Sequence, residues 1–94
     1  MTEQDWAAAV AELVCALEAA AIATDWRGAE LCTASLAALL AAPPVANSTQ
    51  TETVFRHAFL SIGRVSSAAQ AAHDAMRTEF QQLATARKAV AAYR

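Results

Sequence analysis

The stretch TETVFRHAFLSIGRVSSAAQAAHDAMRTEFQQLATARKAVAAYR, residues 51–94, decides how this chain folds. It holds no proline and one glycine, Gly63. Phe55, Ile62, Ala69, Met76, Leu83 and Val90 recur every seven residues along it. Ala58, Val65, Ala72, Ala86 and Tyr93 form a companion row with Glu79 as its one polar interruption, and Phe59 and Phe80 widen the face. Residues three and four apart share one side of an α-helix, so this spacing predicts one long helix over about 51–93 with a heptad stripe of the kind used in bundles and coiled coils. Gly63 with Ser66 and Ser67 leaves an alternative, in which the helix breaks near 63–67 and folds back as a fourth helix.

Working back from that helix, Thr49 and Glu52 have the spacing of a capping box, and residues 42–50 read as the linker. Pro43 and Pro44 end the preceding helix, because neither donates a helical hydrogen bond. That second helix is expected over about 25–41, with Asp25 at its cap, Gly28 in its first turn, and a stripe of Ala29, Cys32, Leu36 and Leu39 widened by Leu40. The first helix is expected over about 3–23, starting behind Thr2 and Asp5 and showing Trp6, Val10, Leu13 and Leu17 on one face. The fold class is therefore all-α: a three- to four-helix antiparallel bundle, with two short helices packed on one long C-terminal helix.

Composition agrees. The 94 residues suit one small domain. They are 56 % hydrophobic, much of it alanine, the strongest helix former, and only 2 glycines and 2 prolines are present. The apolar stretch AAAVAELVCALEAAAIA contains Glu12 and Glu18, which makes it an amphipathic helix rather than a membrane span. The acidic start MTEQDW lacks the basic region of an export signal, so a cytoplasmic protein with reduced thiols is expected. Cys15 and Cys32 lie either side of the turn near Thr24 and are expected as small buried hydrophobes.

Residues 1–47 carry Arg27 against Glu3, Asp5, Glu12, Glu18, Asp25 and Glu30, a net −5. Residues 48–94 carry Arg56, Arg64, Arg77, Arg87, Lys88 and Arg94 against Glu52, Asp74 and Glu79, a net +3. A basic helix lying on an acidic hairpin accounts for this asymmetry. Nucleic acid is not the expected partner, since the positive charge is small and no aromatic platform is interleaved with it. No catalytic, metal or cofactor motif occurs. His57 and His73 are sixteen residues apart, the adjacent His73 and Asp74 point in different directions on a helix, and Ser61, Ser66 and Ser67 sit mid-helix, where they are expected to bend or loosen it. A non-enzyme is expected, with Trp6 and Trp26 as core plugs.

The long helix would measure about 66 Å and each short one roughly 25–30 Å at 1.5 Å per residue. The hairpin therefore covers about half of it. The candidate partner-binding residues are Leu36, Leu39 and Leu40 facing Phe55, Phe59 and Ile62 in a groove between helices two and three. Met76, Phe80, Leu83, Val90 and Tyr93 extend that groove.

Two stretches, AAAIATDWRGAEL (19–31) and LATARKAVAAYR (83–94), joined through a proline-bearing linker and a heptad helix, resemble the FliT-like family of flagellar type III export chaperones. The resemblance spans about Trp6 to Tyr93. It implies a chaperone that holds the C-terminal helical segment of the filament-cap protein, prevents premature assembly and delivers the client to the export ATPase and export gate. Some members also bind the flagellar master regulator. Family members continue past the position of Tyr93 with a segment that covers the binding surface, so self-masking is not carried over to these residues. The rival readings are a chaperone for another type III client and a homodimeric helical module that buries the stripe against its twin.

Overall fold

Three helices, α1 (Glu3–Ile22), α2 (Trp26–Ala41) and α3 (Thr49–Ala92), account for the regular structure in a computed structural model that describes residues 1–45 and 47–92. Tyr93, the expected end of the long helix, lies outside the described residues. Among the described residues there is no strand.

Each helix start has a local chemical cause. The Thr2 hydroxyl accepts the Asp5 N–H at 3.1 Å and the Asp25 carboxylate accepts the Gly28 N–H at 3.0 Å, each satisfying a donor that the first turn leaves free. At the third start the expected Thr49–Glu52 box does not form. Ser48 is the cap: its Oγ accepts the Thr51 N–H at 3.0 Å, while Glu52 turns outward to an exposed ion pair with Arg56. Ser48 wins because its hydroxyl also donates to the Glu3 carboxylate of α1, and Thr51 donates to the Val45 carbonyl at 2.7 Å. One hydroxyl thus starts α3 and ties it to the beginning of α1.

The turn between α1 and α2 closes with the Asp25 N–H on the Ala20 carbonyl (2.8 Å) and the Thr24 N–H on the Ala21 carbonyl (3.1 Å), the Schellman arrangement. It requires a left-handed residue, and Thr24 occupies that place at φ 55°.

The core comprises Trp6, Val10, Val14 and Leu17 from α1, Ala29, Leu36 and Leu40 from α2, and Ala58 and Val65 from α3. Val14 replaces the expected Leu13, which is half-buried at the edge. Trp6 is a core plug as expected; its ring lies 5.9 Å from Phe55 and its indole N–H donates to the Leu39 carbonyl at 2.8 Å. That bond joins the beginning of α1 to the end of α2, so α2 runs antiparallel to α1. Trp6 beside Phe55 and Glu18 beside Ser61 make α3 run parallel to α1.

Helix α1 lies between the other two and touches both along their length, whereas α2 and α3 meet over a short stretch only. Helix α1 thus holds the other two apart along most of their length and leaves an open corner between α2 and α3. Helix α3 passes through Gly63, Ser66 and Ser67 without interruption, so it is one rod and not two folded-back pieces. Ser61 does not loosen it; this buried hydroxyl donates to the Glu18 carboxylate at 2.9 Å and fastens α3 to α1. Both cysteines are free, and Cys15 is exposed rather than buried because the core-facing positions of its turn are taken by Val14 and Leu17.

The molecule extends 70 Å against 18 and 17 Å in the other directions. Its radius of gyration is 19.6 Å, where a compact chain of this length has about 12 Å. The excess comes from α3, whose 44 residues far outrun the 20 of α1 and the 16 of α2.

Candidate protein-binding surface

Helix α3 divides in two by what covers it. From Thr51 to Val65 its inner positions Thr51, Ala58, Ser61 and Val65 are buried, and Ala69 and Ala72 are half-buried. From residue 73 to residue 88 every residue is exposed. The reason is length. Helix α1 ends at Ile22, which lies beside Arg64, Val65 and Ala68, and Trp26 at the start of α2 reaches Ala69. Residues 73–92 project as a free helix of about 30 Å.

The free part is not polar throughout. Met76, Phe80 and Leu83 are 54, 65 and 60 % exposed. Met76 and Phe80 line an apolar strip with Ala84, edged by His73, Arg77 and Gln81, and Leu83 extends it one turn beyond Phe80. Eighteen residues make five whole turns, so Met76 stands directly beyond Ala58 and Leu83 directly beyond Val65. The side of α3 that seals the core in the first half is the side left bare in the second.

The other expected site residues separate into groups. Leu36 and Leu40 are core residues, sealed against α1, and are not presented to a partner. Leu39, Phe55 and Ile62 are half-buried beside that core. Phe59 is 59 % exposed and stacks on Phe55 at 5.8 Å. The two leucines do not face the phenylalanines across an open groove, because α1 occupies the space between them. The side chain of Val90 and the whole of Tyr93 lie outside what the structure describes.

A groove between α2 and α3 does exist, at the opposite end from the one expected. Trp26, Ala29, Thr33 and Ala37 of α2 face Val65 and Ala69 of α3 across it. These are mostly small side chains, so little fills the space between the two helices there. The half-buried Trp26 is the one aromatic residue on its wall, where a core plug was expected. Spacing on α2 alone singles out Leu36 and Leu39 by size and passes over Ala29, Thr33 and Ala37, whose smallness is what opens the groove.

The charge asymmetry is not resolved within the chain. The last charged residues of the described helix, Arg87 and Lys88, lie on the projecting part, beyond the acidic hairpin they were expected to cover. Among the described residues the one ion pair is Arg56–Glu52, within α3 itself.

Among the described residues no three His, Cys, Asp or Glu side chains cluster as metal ligands, and every buried side-chain polar atom has a hydrogen-bond partner. No helix among them is long and apolar enough to cross a membrane. No protein-family model, curated protein or solved structure matches this chain.

Proposed function

We propose that this chain is a helix-binding chaperone of the FliT-like type, a non-enzyme that holds the C-terminal helical segment of a flagellar filament-cap protein in the cytosol. It keeps that segment from assembling prematurely and hands it to the type III export apparatus. The observation that carries the reading is the bare strip Met76–Phe80–Leu83 on a projecting helix. An amphipathic client helix laid along it satisfies the helix-in-groove mode, in which apolar anchors three and four residues apart meet a complementary apolar surface. Met76 suits the task, since a flexible thioether adapts to varied partners.

The magnitudes suit a carrier. Covering the exposed part of three such side chains gains on the order of 3–5 kcal/mol at roughly 1.5–3 kcal/mol for each full burial, and the client's own apolar face adds a similar amount. Association costs of at least about 4 kcal/mol offset much of that. The resulting affinity is modest, and a chaperone must release its client.

The test is isothermal titration calorimetry with the C-terminal segment of the filament-cap protein from the same organism. The expected result is one-to-one binding that Phe80→Ala weakens about tenfold or more while leaving the melting temperature unchanged at concentrations where the chain is monomeric. If Phe80→Ala leaves binding intact, Phe80 is not an anchor for the client and the site is wrong. Absence of binding by the wild-type chain removes the client assignment altogether.

A further inference from the structure

The open corner between α2 and α3 and the bare half of α3 are complementary, and we propose that a second copy of this chain joins them. Two copies lie antiparallel about a twofold axis near residue 74 of α3. Each seats its residues 73–92 in the α2–α3 groove of the other and completes a four-helix bundle there.

Length is the first support. The projecting segment, residues 73–92, is as long as the 20-residue α1 and slightly longer than the 16-residue α2, so it spans the vacant corner from end to end. Direction is the second. Because Met76 and Leu83 are in register with Ala58 and Val65, the bare side of the segment points the way the hairpin lies. In the antiparallel pair, the partner's hairpin occupies that side. Around the axis Met76 comes level with Ala72 of the other copy, Phe80 with Ala68, and Leu83 with Val65. Large side chains on the incoming helix thus meet Ala29 and Ala69 at the Trp26 end of the groove, as close packing requires, and Thr33 and Ala37 lie further along the same wall, toward the far end of the incoming helix.

Charge is the third support. Residues 80–94 carry Arg87, Lys88 and Arg94 and no acid, while residues 1–47 carry −5. The exchange brings the basic segment to the groove wall that holds Glu30, on the hairpin that its own chain does not reach. Area is the fourth. The chain exposes 6844 Å², whereas a compact protein of its mass exposes about 5,200 Å². The surplus of about 1,600 Å² is twice the roughly 800 Å² that each partner contributes to a stable interface.

The exchange stands on this geometry alone. That a client displaces the second copy, so that the dimer stores the site in a covered form, rests on the chaperone reading. The experiment is sedimentation velocity of the full chain over a concentration series, for the wild type, Phe80→Asp and Ala37→Arg. Phe80 and Ala37 are both exposed in the single chain, and circular dichroism at the lowest concentration checks that each variant stays helical. The expected result is a wild-type dimer whose dissociation constant rises about tenfold or more in both variants.

A wild-type monomer at every concentration overturns the exchange. So does a dimer lost in Phe80→Asp but unchanged in Ala37→Arg, which would mean that the long helices pair without entering the groove. Adding the filament-cap segment separates the two readings. Conversion of dimer to a one-to-one complex supports both. A dimer indifferent to the segment supports the exchange and overturns the chaperone reading. A monomer that binds the segment does the reverse.

Discussion

The two halves of α3 have nearly the same pattern and opposite surroundings. Residues 49–72 place Ala58 and Val65 in a sealed core, and residues 73–92 place Met76 and Leu83, five turns on, in solvent. The larger side chains are the exposed ones. Periodicity therefore reports which side of a helix is apolar, and the length of the neighbouring helices decides whether that side is covered. A hairpin of 20 and 16 residues cannot cover a helix of 44.

The strongest way to break this comparison is to remove the same side chain from both environments. Leu36 is fully buried, so Leu36→Ala leaves a cavity and is expected to cost about 2–5 kcal/mol. Leu83→Ala is expected to change stability by less than about 0.5 kcal/mol, as exposed substitutions do. Urea denaturation at concentrations where the chain is monomeric reads both. A large loss at Leu83 would mean that the projecting segment folds back on its own hairpin.

A smaller effect is expected at the start of α3, where the covered half is fastened to the hairpin. Ser48→Ala removes the α3 cap and the bond to Glu3 together and is expected to cost about 1–2 kcal/mol. Thr49→Ala, at the position that local spacing favours, is expected to cost less than half as much. Thermal melts of the two variants side by side decide it.

These residues show where sequence reading succeeds and where it stops. Thr2, Asp25 and Pro43–Pro44 act within one turn of chain, so local spacing places the first two helices within a residue or two. Local spacing favours Thr49 over the adjacent Ser48, and the choice is reversed by Glu3, 45 residues away in sequence. Ser61 looks like a loosening residue until Glu18 is found opposite it. The strip Met76–Phe80–Leu83 is legible because its argument needs only helix lengths. The α2–α3 groove is not, because it is made by small residues and by the sideways position of α1, and neither leaves a mark in hydrophobic spacing.

The smallest expected effect concerns the continuity that makes the two halves one helix. Gly63 is exposed in the middle of α3, and a Cβ added there meets nothing within 4 Å. With no close contact and no left-handed backbone to require a glycine, Gly63→Ala is expected to stabilise the chain by about 0.5–1 kcal/mol through helix propensity alone. For a domain of this size that raises the melting temperature by about 2–8 °C. Gly28 provides the contrast. A Cβ there would lie 2.8 Å from the Asp25 Cγ, so Gly28→Ala displaces the carboxylate that caps α2, and the propensity gain is cancelled. Differential scanning calorimetry of the two variants tests this directly. If Gly63→Ala lowers the melting temperature instead, the helix needs to bend at residue 63. The bare half would then no longer continue the line of the buried half, and the registry of Met76 with Ala58 and of Leu83 with Val65 would fail with it.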